Sequence, residues 1–538
     1  MFRSCTLSFF HTLLTTTMAN RNYIVLIALI VALGGFLMGF DASVISGVNE
    51  FIEPEFNLTK FELGWGVASL TLMATLAMLF AGPLSDRYGR KRLLTYAALL
   101  FAISAIASAL APNFLSLVIA RMIGGIGVGA SLIIAPMYIA EISPPKMRGQ
   151  MVSFNQLNIV LGISAAFFSN YFILQLGQSE AEWALAMKFD EYNWRWMLGL
   201  EAVPAILYFL GLFFVPKSPR WLAMKGEFDD ALAIMKRAAG VERAKAVLEE
   251  VRISLAANKD KPKQNPLAEL FRPAMRLVLT IGIVVAVLQQ ITGINSVFFY
   301  APMIFKQSGI GQDAAFSQAI YVGLINLVFT VLAILLIDKF GRKPLLSWGV
   351  GGIAVFMVML AYGFYSATYT LTPDSLTALS ETVQVESLEP LVGFTYDSDV
   401  EFKAALAGAI GAEAAGEHES DLITAAITMN PTLILVGILG FVASFAFSIG
   451  PVMWVLFSEL FPQSIRGMAI SFVGLINSAV SFLVQLIFPW ELATFGSGTT
   501  FLIYGLFAIF GLIFIIAVIP ETKGKSLEEL EKILVKES

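Results

Sequence analysis

The sequence is poor in the residues that build disulfides, metal centres and soluble surfaces. It holds one cysteine, Cys5, so no intramolecular disulfide can form. Its two histidines, His11 and His418, lie far apart, and no metal site can be built from them. Charged residues make up 14% of the chain, where a soluble domain carries about 25%. There is no phosphate-binding glycine loop and no nucleophile–base phrase, which argues against an enzyme, and nothing calls for a cofactor. The net charge of −5 gives no sign of a nucleic-acid partner, because the negative charge collects in a few loops.

Apolar residues take the place of what is missing. The chain is 57% hydrophobic with a mean hydropathy of +0.76. Runs of about 20 apolar residues suffice to cross a bilayer as helices. Twelve such runs are found, near 23–45, 64–83, 93–112, 115–140, 152–175, 196–215, 277–303, 316–337, 346–366, 432–457, 467–489 and 499–519. With the N-terminus cytoplasmic, 29 of the 35 Lys and Arg fall on the cytoplasmic side. That asymmetry predicts a multi-pass cell-membrane protein with both termini in the cytoplasm. Residues 1–20 make a poor signal peptide, because a full span follows directly; Met18 is an alternative start to Met1.

The chain repeats itself. Asp86-Arg87-Tyr88-Gly89-Arg90-Lys91-Arg92 returns 252 residues later as Asp338-Lys339-Phe340-Gly341-Arg342-Lys343-Pro344. Glu141-Ile142-Ser143-Pro144 with Arg148-Gly149 returns as Glu459-Leu460-Phe461-Pro462 with Arg466-Gly467. Duplicated spans with charged hinges predict a two-halved transporter. The organisation expected is an N-terminal extension (1–20), a six-helix bundle (21–215), a cytoplasmic helical linker (216–276), a second six-helix bundle (277–520) and a cytoplasmic tail (521–538). The linker holds 13 Lys and Arg, and Phe228–Val251 has helical spacing, suiting short amphipathic helices under the two halves. An insertion in the second half, 367–430, carries eleven acids against one Lys. Its Ala404–Glu417 stretch suits a helix. It would act as a lid over the outer mouth, collect cations, or be a tolerated surface insertion.

Together these phrases resemble the sugar porter family of the major facilitator superfamily, over roughly 25 to 537. The resemblance rests on Gly39-Phe40-Asp41 with Ile45-Ser46-Gly47, Gly82–Arg92, Arg121 with Gly124-Gly125-Ile126-Gly127-Val128-Gly129, and Trp194-Arg195-Trp196-Met197 with Glu201. Pro216-Lys217-Ser218-Pro219-Arg220-Trp221-Leu222, Gln289-Gln290 through Asn295, Asp338–Pro344, Gly450-Pro451 with Trp454, and Pro520-Glu521-Thr522-Lys523-Gly524 complete it. It implies an all-α fold of twelve transmembrane helices in two six-helix bundles around a central cavity. It also implies alternating access about a midplane site, and import of a monosaccharide, hexose or pentose, by proton symport. A passive sugar facilitator and a polyol or other small-solute carrier are the alternatives on the same fold. A monomer in the bilayer is expected.

A sugar is uncharged and rich in hydroxyls, so its site needs amides and an aromatic face. Gln156, Gln289, Gln290, Asn295, Asn326 and Trp454 match the family's sugar ligands. Gln289 and Gln290 cannot share a helix face, while Gln289 and Asn295 roughly can, with a break at Gly293 helping. Span 11 carries Asn477-Ser478 where close symporters have a glutamine and a second tryptophan, and Asn477 joins the candidate set. Phe299 and Met38 also depart from the family pattern, which leaves the particular sugar open. An ionisable residue at membrane depth is costly and points to function. Asp41, with Arg121, is therefore the candidate proton-coupling pair, since the resemblance implies Asp here in coupled members and Asn in facilitators. Glu201 is a second buried acid and a weaker rival. Asp86, Arg90, Glu141 and Arg148, with Asp338, Arg342, Glu459 and Arg466, are expected to form an interbundle ion-pair latch, closed when the cavity faces outward. Lys217 replaces the family's usual Glu, so one acid of that latch is missing. The Gly124–Gly129 run lies inside a span, where small residues permit close helix packing rather than nucleotide binding.

Overall fold

The computed structural model describes residues 2–144, 147–259, 269–379, 385–462, 465–525 and 529–530; the side chains of 2–21 and of Arg148 are not among those described. The side chains of Cys5, His11, Met18 and Arg148 and most of the 521–538 tail therefore lie outside the described set. Eleven described helices are long and apolar enough to cross a membrane. Spans 1–6 are Asn22–Glu55, Lys60–Tyr88, Arg90–Ala109, Phe114–Ile142, Gly149–Gly177 and Asn193–Phe214. Spans 7–10 are Pro273–Lys306, Gln312–Phe340, Arg342–Tyr365 and Pro431–Leu460. The eleventh helix, Arg466–Val518, is two spans run together, because Gly496 takes φ +77° and ψ 163° inside it. Span 11 is 466–495 and span 12 is 497–518. The total is twelve, as hydropathy predicts.

Local chemistry sets where spans begin. Thr59 and Glu62 form a reciprocal capping box that opens span 2. Asn113 and Ser116 do the same for span 4. Packing then sorts the spans into two groups. Span 1 lies on span 5, span 2 on span 4, and span 3 on spans 4 and 6; span 8 lies on 10 and span 9 on 10, while side-chain bonds tie span 7 to 11 and span 9 to 12. The pattern of the first six repeats in the second six. The Gly-rich run of span 4 does bring backbones together: a Cβ at Gly125 or Gly129 would lie 2.3 or 2.2 Å from the carbonyl oxygens of Leu70 and Ala74 in span 2. Large apolar side chains, among them Phe80, Tyr96, Phe172, Phe213 and Phe510, remain exposed around the outside. A soluble monomer rarely leaves so much apolar surface bare, whereas lipid covers it without cost.

Chain alternation defines two faces, one bearing the linker and one bearing the 367–430 insertion. On the linker face the helical spacing over Phe228–Val251 belongs to two helices, Phe228–Ala239 and Val241–Lys259, divided at Gly240 (φ +81°). Their apolar sides close over Trp221, Leu222 and Ala231. The Trp221 indole donates to the Asp86 carbonyl at 3.0 Å, which docks the linker on the first bundle.

The insertion is a folded unit with its own core of Tyr369, Leu388, Phe402, Leu406 and Leu422. The Ala404–Glu417 helix is in fact two, Asp399–Ile410 and Ala412–Glu417, divided at Gly411 (φ +87°). A small antiparallel sheet joins the start, middle and end of the insertion: β1 (Thr368–Thr370), β2 (Thr395–Tyr396) and β3 (Ile427–Thr428), in the order β2-β1-β3. Sequence reading missed this sheet, since each strand is two or three residues long and shows no alternation to detect. The insertion grips both bundles. Glu419 bonds Lys60 of span 2 at 3.0 Å and Lys403 of the insertion at 2.8 Å. The Asp399 carboxylate accepts from the Ser497 backbone at the head of span 12, at 3.2 Å.

Burial alone would raise the Glu419 pKa, but the Lys403 and Lys60 ammonium groups outweigh it and hold the carboxyl at about 2. A folded pKa below the ordinary 4.5 means that this stability is present above about pH 4.5 and is lost as pH falls through about 2. Glu419→Gln is expected to weaken hydrogen-exchange protection of the insertion at neutral pH by about 2 kcal/mol. The gap from wild type should shrink below pH 4.5 and close near pH 2. An unchanged exchange pattern at neutral pH would show that the clasp contributes nothing.

Candidate functional site

Span 7 is not one helix. Arg276–Ile291 stops at Thr292, Gly293 takes φ +87°, and Ile294–Lys306 restarts. Broken backbone at membrane depth survives only where protein satisfies it. Here the Gly293 N–H donates to the Gln290 carbonyl at 3.0 Å and the Thr292 N–H to that of Leu288 at 3.3 Å. The Tyr504 ring fills the space that a side chain at 293 would need: a Cβ there would lie 2.4 Å from it.

The break turns Asn295 back toward Gln290. Its Nδ2 donates to Gln290 Oε1 at 2.8 Å and to Ser481 Oγ at 2.7 Å. Gln290 Nε2 donates to Gln289 Oε1 and to Asn477 Oδ1, each at 3.1 Å. Asn477 Nδ2 donates to Gln289 Oε1 at 2.7 Å and to the Ala286 carbonyl at 2.8 Å. Gln289 Nε2 reaches the Ile449 and Gly450 carbonyls of span 10, each at 3.3 Å. Four expected residues thus form one buried, uncharged network between spans 7, 10 and 11. The expected pairing of faces is corrected in one respect. Asn295 bonds Gln290 rather than Gln289, because the chain reverses its local twist at Gly293 and no single helical wheel applies across it.

Gln156, Asn326 and Trp454 stand outside this hydrogen-bonded group among the described residues. Asn326 is buried in span 8, one turn beyond Gly323, whose carbonyl accepts from Ser164 of span 5 at 2.9 Å. Gln156 is half-buried in span 5. Trp454 of span 10 is exposed, edge-on to Phe457 and with Gly474 of span 11 beside its ring. Sequence reading missed Ser481 and Gln485. Their signal was the four-residue spacing Asn477, Ser481, Gln485 along span 11, which puts three polar groups on one helix face.

The second centre lies in the first bundle. Arg121 Nη1 donates to Asp41 Oδ1 at 3.3 Å, and both residues are 2% exposed. Glu201 of span 6 is equally buried. Among the described residues, Asp41 Oδ2, Arg121 Nε and Glu201 Oε1 have no hydrogen-bond partner. Gly124 leaves room for the carboxylate, since a Cβ there would fall 2.9 Å from Asp41 Oδ2. Asp41 and Arg121 form an ion pair, and Glu201 is a second buried carboxyl in the same bundle.

The repeated charged phrases meet on the linker face. Arg90 bonds Asp86 at 2.8 Å and Glu141 at 3.1 Å; Arg342 bonds Asp338 at 3.2 Å and Glu459 at 2.8 Å. Ser218 donates to Glu141, and Thr522 to Glu459 at 2.7 Å. Arg466 Nε donates to the Phe461 carbonyl at 3.0 Å. Each of these bonds stays within one half or its adjoining linker or tail, so among the described residues the charged phrases pair locally rather than between bundles; the Arg148 side chain lies outside the described set. Bonds between the bundles gather toward the insertion face instead. Asn49 donates to the Phe299 carbonyl at 2.9 Å, Lys306 bonds Glu50, Gln178 donates to Asp313 at 2.8 Å, and Thr71 donates to Gln485 at 2.8 Å. The insertion face is bridged by these bonds, while among the described residues the repeated charges on the linker face make theirs within each half.

Two repeated bundles around a buried polar centre define a multi-pass membrane transporter of the major facilitator fold. Residues 27–379 and 404–534 match the family described as Sugar (and other) transporter, and the chain belongs to that family. It is 35% identical over 517 residues to the arabinose-proton symporter of Bacillus subtilis, covering 96% of each chain. It is 35% identical over 548 residues to the D-xylose-proton symporter of Escherichia coli strain K12, again with 96% of each covered. Its structure is similar to the partially occluded inward-open xylose transporter XylE of E. coli, with a TM-score of 0.69 and 31% identity over 93% of this chain and 100% of that one.

Gly293→Ala combines a disfavoured φ with a clash on Tyr504. It is expected to cost about 1–3 kcal/mol, read as a lower unfolding midpoint in detergent. Wild-type stability would mean that span 7 can straighten without loss.

Proposed function

We propose that this protein imports a monosaccharide together with a proton, by rocking its two bundles about the amide network. The observation that carries the sugar half is the network itself. Gln289, Gln290, Asn295 and Asn477 supply donors and acceptors in one place with no charge among them. An organic acid would call for a cation there. The bonds the amides now make to one another are exchanged for bonds to sugar hydroxyls, so each contributes only about 0.5–1.5 kcal/mol net. Modest affinity suits a carrier, which must also release its cargo. Asn326 and Trp454 from the same bundle, and Gln156 from the facing one, complete the site when the bundles close on the sugar. The similarity to proteins named as arabinose-proton and D-xylose-proton symporters supports this reading.

The proton half rests on Asp41 and Arg121. A proton on Asp41 removes its attraction for Arg121 and frees span 1 from span 4. Glu201, the second buried acid of this bundle, is the alternative carrier of that proton. The linker face is cytoplasmic, as the Lys and Arg distribution argues, so the bridged insertion face is the external one. Asp86, Arg90, Glu141 and Arg148, with Asp338, Arg342, Glu459 and Arg466, trade their present partners for cross-bundle ones when the cavity turns outward. The protein works as a monomer in the bilayer.

Uptake of labelled L-arabinose, D-xylose and D-glucose into proteoliposomes tests this. Accumulation above equilibrium that collapses with a protonophore is expected, whereas equilibration indifferent to the gradient would make the protein a facilitator. Asp41→Asn should abolish uphill uptake and keep sugar exchange; unchanged uphill uptake would remove Asp41 from coupling. Gln290→Ala should raise KM about tenfold, the loss of roughly one well-made hydrogen bond. A wild-type KM would place the sugar elsewhere.

A further inference from the structure

Gln485 belongs neither to the amide network nor to the ion pair, yet it joins the network to the opposite bundle. It is 1% exposed, inside the seam between spans 2 and 11. Its Nε2 donates to Ser481 Oγ at 2.7 Å, and its Oε1 accepts from Thr71 Oγ1 of the first bundle at 2.8 Å. Ser481 Oγ also accepts from Asn295 Nδ2 at 2.7 Å. An unbroken chain of bonds therefore runs Gln290–Asn295–Ser481–Gln485–Thr71. It climbs span 11 from the network toward the insertion face and crosses from one bundle to the other.

The surroundings of this chain are tight and apolar. Trp65 of span 2 packs edge-on to Phe482, with ring centroids 6.1 Å apart. A Cβ at Gly64 would lie 2.0 Å from the Leu486 carbonyl oxygen. The Gln485 carbonyl accepts from the Tyr300 hydroxyl at 3.1 Å, which pins its backbone. Other polar bridges at this face, such as Asn49 to Phe299, Lys306 to Glu50 and Gln178 to Asp313, do not touch the amide network.

We propose that Ser481 and Gln485 are positioning residues that link occupancy of the amide site to closure of the seam between spans 2 and 11. The proposal rests on the sugar reading above. An amide has one donating and one accepting end, so its two partners are set together. Gln485 presents Oε1 to Thr71 while its Nε2 faces Ser481, and Ser481 faces Gln485 as an acceptor shared with Asn295. A sugar hydroxyl that engages Asn295 changes what Ser481 receives. The change passes to the orientation of Gln485 and so to its bond with Thr71. Linkage makes the effect reciprocal: a shut seam also changes how the site binds sugar. One neutral hydrogen bond biases the seam by about fivefold.

The test uses the full chain with spin labels on Phe61→Cys and Trp490→Cys. Both positions are exposed, at the insertion-face ends of spans 2 and 11. Cys5 is the one native cysteine, so Cys5→Ser gives a clean background. Interlabel distances are measured with and without saturating D-xylose or L-arabinose, and sugar binding is followed separately by titration calorimetry. Thr71→Val is expected to raise the open-seam population about fivefold without sugar. Ser481→Ala and Gln485→Leu should still bind sugar but lose most of the sugar-induced distance shift seen in the parent. Gln485→Met, which keeps the side-chain length, should behave as Gln485→Leu and guards against misfolding. If sugar binds and shifts the seam equally in parent, Ser481→Ala and Gln485→Leu, the relay falls and the sugar reading stands. If the parent binds no sugar, the sugar reading falls and takes the relay with it.

Discussion

A polar group inside a bilayer must find its partner within the protein, because lipid offers none. The rest of this structure depends on that constraint. The break at Gly293 exposes backbone groups, and span 7 recaptures them with its own carbonyls while Tyr504 covers the gap. The four amides bond one another rather than waiting bare for a ligand. Arg121 and Asp41 face each other at full burial. Such pairs gain little net stability, since removing charge from water costs several kcal/mol per ion. Their presence in a chain so poor in charge points to a task other than holding the bundle together.

The two halves meet the same requirement with different chemistry. In the first, Glu141 takes Arg90 and the Ser218 hydroxyl; in the second, Glu459 takes Arg342 and the Thr522 hydroxyl. Each hydroxyl stands two residues after a proline, Pro216 or Pro520, at the point where a bundle hands over to the linker or the tail. The residue between them breaks the symmetry. Glu521 accepts from the Arg342 and Lys343 backbone N–H groups, each at 3.1 Å, and so caps the start of span 9. Lys217 cannot accept. The start of span 3 is instead covered by Trp221, whose ring lies against Gly89. The missing acid noted in the sequence is thus replaced by an apolar lid drawn from the linker.

Much of this was readable in the chain because it rests on composition and period. Twelve apolar runs, a cation asymmetry and two repeated phrases suffice for the span count and the halves, since bilayer thickness leaves little freedom. The buried amides were legible as misfits in apolar runs. Their wiring was not, because helical-wheel geometry fails across a left-handed residue such as Gly293. The strands of the insertion escaped notice because their pairing is set by a core of residues distant in sequence, such as Tyr369 and Phe402. The partners of the repeated charges also lay beyond the sequence. A phrase such as Asp338–Arg342 shows that an ion pair will form, but the position of the bundles decides whether its third member lies in the same half or the other.

That last point explains why charges crowd the linker face while amides and apolar rings line the seam. On the linker face the outer carboxylates, Asp86 and Asp338, are exposed, so solvent carries them through an unpaired state while Arg90 and Arg342 keep their inner partners Glu141 and Glu459. A buried seam has no such intermediary. There the groups that part must be few, neutral and matched, as Thr71 and Gln485 are, with rings such as Trp65 and Phe482 sliding past one another at small cost. Lys306 and Glu50 are the exception, a charged pair at the insertion-face end of the seam, with Gln312 donating to the same carboxylate. Their position near the external surface lets water reach them first as the bundles part. The gradient from neutral contacts at depth to charged ones at either surface allows two rigid bundles to rock without stranding an ion in lipid.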